Sequence, residues 1–384
     1  MRYPVQKQYF SRLCIQALAL VIGLGFVAFA PVATAETSGL VDAQMGAIDD
    51  VPDTPEHGLR NGSFVFAPIP FSDPTIGAGL VLGAGYLFNT DPGSKPSVIG
   101  IAALRSDNGS QGYGVSVNLA FDNNRWLFKS LFAKADLRYD LYTPAGVLPI
   151  RQDGVLGRLS LAYGVTPQLS FGGMLRYLDT TITPNISGLP PIPPPFNQFL
   201  NVEIASVGVI TDWDRRDDTI YPTKGSNLHV EAFRGISLDG LTKDYTKAYA
   251  NYTHYFALGN AGVLAARGSV CSASQEAPFF DQCSLGSTDG FRGFSATQFL
   301  DLRSASVQVE YRHQFTKRLG VVGFTGLGMV GPRFSDLDIG GAHSATGVGV
   351  RYRVSKKFPL DFSVDLAHND LGDDQLYIYV GQRF

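Results

Sequence analysis

Ser304 to Arg312 reads SASVQVEYR, in which apolar side chains alternate with small or polar ones. Because successive side chains of a β-strand point to opposite faces, this order gives the strand one apolar and one polar face. Similar segments, each of about ten residues, recur from Gly62 to the end of the chain and are separated by turn residues. The recurrence predicts an all-β fold over residues 62–384.

The polar faces distinguish between two kinds of all-β fold. A soluble β-sandwich also alternates, with its polar face in outside water. Here acids and bases share the polar faces, as Glu310 and Arg312 do, so they can pair inside one lumen. The sequence contains about 16 candidate strands, and an even number is typical of bacterial single-chain barrels. We therefore predict a transmembrane antiparallel β-barrel. The candidate strands are 62–70, 75–88, 97–106, 110–121, 125–139, 152–164, 168–182, 199–212, 225–235, 244–257, 261–273, 300–314, 318–330, 344–354, 359–368 and 375–384.

The connections between these segments indicate the two ends of the barrel. Short turns, as at 122–124, 165–167 and 258–260, alternate with longer connections. Short turns are typical of the periplasmic end of a membrane barrel, and long loops of its outer end. We therefore expect the loop Pro278–Phe299, after the eleventh strand, to lie at the outer end.

That loop reads PFFDQCSLGSTDGFRGFSATQF and is the longest irregular stretch between two predicted strands. A loop of this length in a compact chain is usually functional or disordered. Its apolar and aromatic composition argues against disorder, and Arg292 stands at its centre between glycines and phenylalanines. We expect the loop to fold into the barrel; the alternative is an arginine exposed to water.

Cys271 and Cys283 flank the opening of the loop, and a third cysteine, Cys14, lies in the N-terminal apolar segment. An even pair in an exported chain favours a disulfide. The alternative is two free thiols that lie near each other.

Residues 1–35 have the features of a secretory signal peptide. A basic head precedes a long apolar run, Pro31 ends the run, and Ala33-Thr34-Ala35 supplies the small-x-small cleavage pattern. An uncleaved membrane anchor is the alternative, because the apolar run is long. Residues 36–61 contain several acids and two prolines, and we expect them to form a disordered periplasmic leader.

Several classes of function are disfavoured by the composition. The formal net charge is −3, so there is no electrostatic case for binding nucleic acid. The histidines are scattered, and none lies beside a recognisable nucleophile motif, so we do not expect an enzyme. The sequence has neither a metal-spaced cluster nor a phosphate-binding glycine loop, and we expect no cofactor.

With these features together, residues 62–384 resemble the barrel of the BamA/TamA-type outer-membrane assembly proteins, also called the bacterial surface antigen family. One match is the triplet Arg292-Gly293-Phe294 in the loop after the eleventh strand. Another is Pro278-Phe279-Phe280, followed by Leu285-Gly286. A third match is a turn motif formed by Asp214, Arg216, Asp217, Pro222 and Gly225. The fourth is a C-terminal β-signal formed by Ile378, Val380 and Phe384.

The resemblance implies that the loop enters the lumen and that Arg292 docks on the inner wall. It also implies a weakly paired seam between the first and last strands, 62–70 and 375–384, which opens sideways. Pro68 and Pro70 in the first strand fit such a seam, because proline cannot donate a hydrogen bond to a β-ladder. The alternative is that these prolines simply end the strand.

The chain departs from the family in two respects. The acid that usually receives the loop arginine is replaced by Gly326. A guanidinium in a partly dry lumen still needs acceptors, and the candidates are Glu310 and Asp365, which we favour, with Asp361 and Asp301. The sequence before the barrel has no room for a polypeptide-transport-associated domain, so a short form without these domains is expected.

The resemblance implies a bacterial outer-membrane protein that assists the insertion or translocation of other proteins, or that remodels lipid. Its expected partners are outer-membrane lipid, unfolded outer-membrane proteins and a separate periplasmic protein. The alternative is a passive pore or a structural surface protein with no assembly activity.

Overall fold

The computed structural model describes residues 62–186, 201–240, 242–287, 289–353 and 361–384. In these residues sixteen antiparallel strands close into one barrel, so the predicted fold class is confirmed. Within the same ranges no α-helix is long and apolar enough to cross a membrane. The signal peptide and the leader, at 1–35 and 36–61, lie outside the described residues and stay predictions.

Each strand pairs with its neighbours in the chain, and the strands before and after the long loop pair with each other. The strands are β1 (Ser63–Asp73), β2 (Gly77–Phe88), β3 (Ser97–Ser106), β4 (Gln111–Phe121), β5 (Trp126–Thr143), β6 (Gly146–Gly164), β7 (Leu169–Pro184), β8 (Asn201–Asp214), β9 (Gly225–Ser237), β10 (Tyr245–Leu258), β11 (Gly262–Ala273), β12 (Arg303–Gln314), β13 (Leu319–Gly331), β14 (His343–Arg353), β15 (Asp361–Asn369) and β16 (Asp374–Val380).

The alternation of side chains separates the two faces of the barrel wall. On β12 the polar residues Gln308, Glu310 and Arg312 are buried toward the lumen, whereas Val307 and Tyr311 are exposed on the outside. An apolar outer face with a polar interior is the arrangement of a barrel that sits in lipid. The lumen therefore collects charged side chains that would be costly on the outer face.

The two longest strands differ from their predicted bounds. The sequence pattern placed a connection at 140–151, but β5 continues to Thr143 and β6 already begins at Gly146. Leu141 and Leu148 extend the apolar cluster of the inner wall, so the paired strands gain buried surface beyond the predicted ends. Gly146, directly after the two-residue connection, has a φ of +125°, which glycine adopts at little cost.

The expected alternation of short and long connections is only partly present. The connections at 74–76, 107–110 and 144–145 are short, although they lie at the same end of the barrel as the long loop. At this end β5 and β6 project as an extended hairpin instead of a long loop.

The last strand ends four residues before the predicted end. β16 stops at Val380, and Gly381, with a φ of +94°, turns the chain inward. Phe384 is buried in the lumen, in one cluster with Tyr255 on β10 and with Val263 and Ala265 on β11. Burial of the phenyl ring among these side chains favours the inward turn over continued strand pairing.

The seam between β1 and β16 is the weakest junction of the barrel. Across the described residues of the two strands only Ser72 and Ile378 are registered partners, whereas β1 is registered with β2 along its full length. Pro68 and Pro70 lie inside β1, and the ladder to β2 continues through both of them. They do not end the strand. Because the two prolines are two positions apart, their backbone nitrogens point to the same edge of β1. That edge faces β16, where the ladder therefore lacks two N–H donors.

Candidate functional site

The loop Pro278–Phe299, called here the inner loop, is packed inside the lumen. Its base is closed by two short strands, Cys283–Ser284 and Leu300–Asp301, which pair with each other. Leu285, Phe291 and Phe294 are almost completely buried. The apolar composition of the loop thus corresponds to a plug with its own small core.

Glycines give the loop arginine its position. Gly290 and Gly293, on either side of Arg292, have φ values of +63° and +117°. A Cβ atom at Gly293 would also lie 2.4 Å from Cβ of Ala345 on the wall. Any side chain at position 293 would therefore push the arginine away from its partners.

Arg292 is fully buried and contacts two carboxylates on the inner wall. Its Nη1 atom donates to Oδ2 of Asp365 at 2.7 Å, and its Nη2 atom lies 2.6 Å from Oε2 of Glu310. The guanidinium also stacks 3.5 Å from the ring centroid of Phe324. Buried charges persist when they are paired in this way, and a cation on an aromatic face adds to the attraction.

Two further arginines share the same carboxylates. Arg312 donates to Oε1 of Glu310 at 2.7 Å, and Arg351 pairs with both oxygens of Asp365. The hydroxyl of Tyr379 on β16 also donates to Asp365, at 2.8 Å. The cluster thus contains three guanidinium groups and two carboxylates, and it joins the inner loop to β12, β14, β15 and β16.

The backbone of the triplet is also bound to the wall. The N–H group of Gly293 donates to the hydroxyl of Tyr377 at 2.7 Å, and the side-chain amide of Asn369 donates to the carbonyl of Gly293 at 2.8 Å. Tyr377 and Tyr379 both belong to β16, one of the two strands at the seam. The inner loop therefore contacts the last strand directly.

The structure gives a steric reason for Gly326. A Cβ atom at this position would lie 2.8 Å from Cε2 of Phe291 and 2.7 Å from Cγ of Gln308. The phenyl ring of the inner loop occupies the space that an acidic side chain would need. Arg292 instead reaches the carboxylates of β12 and β15.

Two of the four candidate partners do not contact Arg292. Asp361 pairs with Arg353 at 3.0 Å, near the end of β14 and the start of β15. Asp301 accepts a hydrogen bond from the N–H group of Leu302 at 2.7 Å, at the base of the loop. Both positions are therefore wrong as partners of Arg292, because each carboxylate is held by a neighbour closer to its own strand end.

A second buried ion pair, which the sequence reasoning missed, holds the other half of the inner loop. Asp281 contacts Arg176 on β7 through both carboxylate oxygens, one of them at 3.1 Å, and is bound by the hydroxyl of Tyr245 on β10. Burial acts to raise the pKa of Asp281, but the guanidinium of Arg176 outweighs it and holds the pKa below its usual range. The signal in the sequence was an acid directly after Phe279 and Phe280, a segment that we read only as part of a family match.

A disulfide joins Cys271 on β11 to Cys283 in the inner loop, with Cα atoms 5.6 Å apart. The inner loop is therefore fixed at three places: covalently at its base, by Asp281 on one wall and by Arg292 on another. These attachments come from strands on different sides of the lumen, so the loop spans the interior.

The turn motif between β8 and β9 forms a local hydrogen-bonded unit away from the inner loop. Asp214 pairs with Arg216 through two bonds of 2.9 and 2.8 Å, and Asp217 accepts from the N–H groups of Thr223 and Lys224. Pro222 lies within this turn. Gly225 has a φ of +95°, and a Cβ atom there would lie 2.0 Å from the carbonyl oxygen of Arg215.

The predicted C-terminal signal residues divide between the two faces. Ile378 and Val380 are half-buried on the outer face of β16, whereas Phe384 lies inside the lumen, 5.4 Å from the guanidinium of Arg292. In the described part of the chain, no group of three or more His, Cys, Asp or Glu side chains is arranged to hold a metal ion.

Among solved structures, the barrel is similar to BamA from Haemophilus ducreyi lacking POTRA domains 1–3. The identity is 14%, the TM-score is 0.55, and the match covers 97% of this chain and 77% of that one. CdiB from Escherichia coli matches with 14% identity and a TM-score of 0.58, over 86% of this chain and 63% of that chain. CdiB from Acinetobacter baumannii matches with 13% identity and a TM-score of 0.57, over 85% and 60%.

These low identities show a shared fold, and the chain spans less than two thirds of each CdiB chain. A search among curated proteins finds no match. The model of the Omp85 superfamily domain matches residues 106–384, which is more than half of the chain. The chain therefore belongs to the Omp85 superfamily, as its resemblance to the BamA-type barrels indicated.

Proposed function

We propose that this chain is an outer-membrane barrel that assists the insertion or translocation of other membrane proteins through its seam, or remodels the lipid beside it. The observation that carries the proposal is the single registered pair between β1 and β16, beside a fully registered β1–β2 ladder. The outer-membrane location is part of the proposal and is supported by the family and by the apolar outer face.

The physical basis is the cost of unpaired backbone groups in lipid. Each unsatisfied N–H or C=O group in a hydrocarbon environment costs several kcal/mol, so spanning strands normally pair completely. Pro68 and Pro70 remove two N–H donors from the seam edge of β1, so carbonyl groups of β16 that face them find no donor there. An incoming strand could form part of the missing ladder, as in other cases of strand addition to an exposed edge.

The inner loop supports the seam from inside. Arg292 binds Asp365 on β15, and Gly293 binds Tyr377 on β16. These contacts hold the last two strands to the lumen plug while the outer edge of β16 remains weakly paired. In this proposal unfolded outer-membrane proteins are the clients, and a separate periplasmic protein delivers them.

The passive-pore alternative is less well supported. Leu285, Phe291 and Phe294 of the inner loop and Phe384 of the C-terminus occupy the lumen. Steady conductance of the purified protein in a planar bilayer, together with no insertion activity, would favour that alternative. Nothing in the arrangement of the described residues leads us to propose an enzymatic reaction.

A cysteine pair at Ser72 and Ile378 tests the proposal, because these residues are registered partners across the seam. We expect the oxidised double variant to lose its ability to accelerate insertion of a urea-unfolded barrel protein into liposomes, and reductant to restore it. Cysteines at Ser72 and Ala78 are the matched control, since they join β1 to β2, where pairing is already complete. Equal insertion rates for the locked and reduced seam variants would refute the proposal.

A further inference from the structure

An apolar groove runs across the outward face of the barrel from β1 to β7, on the side of β1 that pairs with β2. It has a volume of about 830 Å³. Small side chains, among them Ala84 and Ala103, form its floor, and Phe66, Phe132 and Tyr177 rise beside them. A smooth barrel wall would not form such a groove; here the small residues on neighbouring strands make it.

A cation stands in this apolar surface. Lys134 on β5 is exposed on the outer face and lines the groove, with Tyr113 and Val155 as its cross-strand partners. Arg105 on β3 is exposed on the same face, two strands away. By ordinary sheet spacing their Cα atoms are roughly 12 Å apart, so the two long side chains can reach one group between them.

Neither cation is neutralised by a carboxylate of the described part of the chain. Within the described residues, neither Lys134 nor Arg105 forms an ion pair. The carboxylate two positions beyond Lys134, Asp136, is already bound by Arg151 through bonds of 2.7 and 3.0 Å. Among the described residues, the two cations therefore have no carboxylate partner and remain available to an external anion.

The position of Lys134 along the barrel axis indicates which layer of the membrane surrounds its amine. Trp126, whose ring packs against Tyr163, marks the aromatic belt at the short-turn end of β5. Lys134 is eight positions further along, which is roughly 20 Å higher for a rise of ~3.3 Å per residue and a strand tilt of ~40°. The apolar band of such barrels is about 25 Å tall, so the amine lies near its upper edge, where headgroups begin.

We propose that this groove binds one phosphorylated lipid of the outer leaflet, with an acyl chain along the apolar floor and an anionic phosphate between Lys134 and Arg105. A lipid-facing cation is costly in hydrocarbon, and an anionic headgroup compensates it at the interface. The rings of Tyr113 and Tyr177 suit the same level, because tyrosine is favoured at headgroup depth. The chemistry required is a phosphate monoester on an acylated lipid, as in diphosphoryl lipid A.

The test is native mass spectrometry of the full chain in dodecylmaltoside, titrated with diphosphoryl lipid A and with its dephosphorylated form. Lys134→Gln and Arg105→Gln are each expected to raise the apparent Kd about fivefold, which corresponds to about 1 kcal/mol per interfacial cation. The double variant should lose about 25-fold by the same reasoning. Lys134→Arg should retain binding, which separates a lost charge from a damaged fold.

Arg333→Gln is the control for a cation outside the groove: Arg333 lies at the same end of the barrel, 77% of its side chain is accessible, and it pairs with Asp336 at 2.9 Å. Its Kd should not change. Ala103→Phe fills the groove without altering charge and should weaken binding of the same lipid. Wild-type affinity in the double variant or in Ala103→Phe, or equal binding of dephosphorylated lipid, would overturn the proposal. So would an equal loss in Arg333→Gln, since binding would then be a diffuse surface effect.

Discussion

We expect Arg292→Met to lower the free energy of unfolding by less than Asp365→Asn does, although Arg292 and Asp365 bind each other. The intact cluster has three guanidinium groups and two carboxylates, so its net charge is +1. Arg292→Met brings this charge to zero, and Arg312 and Arg351 continue to bind Glu310 and Asp365. Asp365→Asn raises the net charge to +2 and leaves Glu310 as the last carboxylate of the cluster.

The magnitudes follow from what each change leaves behind. Breaking a buried ion pair by removing one partner costs about 3–5 kcal/mol, mostly because the other charge stays buried and unpaired. We therefore expect about 3 kcal/mol for Arg292→Met and about 5 kcal/mol for Asp365→Asn. The difference of about 2 kcal/mol corresponds to about 30-fold in the unfolding equilibrium.

Urea unfolding of the two variants in detergent micelles measures these values, with Arg333→Met as a control for loss of an exposed arginine. If Asp365→Asn lowered the free energy of unfolding by less than Arg292→Met does, the argument from the net charge of the cluster would be refuted. A cost below about 1 kcal/mol for both variants, the level of an exposed ion pair, would show that the cluster does not hold the inner loop.

Three further predictions concern the other attachments of the inner loop. Because the folded-state pKa of Asp281 is lowered, its ion pair should stabilise the fold above the ordinary carboxylate pKa of about 4 and lose this contribution as pH falls through the folded-state pKa, so urea stability should drop further in the wild type than in Asp281→Asn, which keeps the other ion-paired carboxylates. Replacing Cys271 and Cys283 by alanine should lower the free energy of unfolding by up to about 3 kcal/mol, and an unchanged urea midpoint would contradict this. Gly326→Asp, which restores the family acid, should destabilise the barrel by about 1–3 kcal/mol through overlap with Phe291, whereas a gain in stability would mean that the ring moves aside.

The alternation of side chains was sufficient to predict the barrel because period two is a local property of each strand. The same alternation placed Glu310 and Asp365 on the inner face, which narrowed the possible partners of Arg292 before any distance was known. Alternation does not say where a strand ends, and for that reason the extension of β5 and β6 was missed.

Contacts between distant parts of the chain were the harder part to predict. Arg176 and Asp281 are 105 positions apart, and no local pattern connects them. The inward position of Phe384 depends on one backbone turn at Gly381 and on a pocket formed by β10 and β11. The sequence alone does not distinguish a terminal phenylalanine that continues the last strand from one that turns into the lumen.

The inward turn of the C-terminus has a consequence for the order in which the chain is assembled. Phe384 rests on Val263 and Tyr255 and lies near Arg292, so its site exists only after β10, β11 and the inner loop are in place. The closing partners Ser72 and Ile378 stand at opposite ends of the described chain, and contacts of such large sequence separation form late. Residues 381–384 should therefore reach their final position only after β10, β11 and the inner loop are packed.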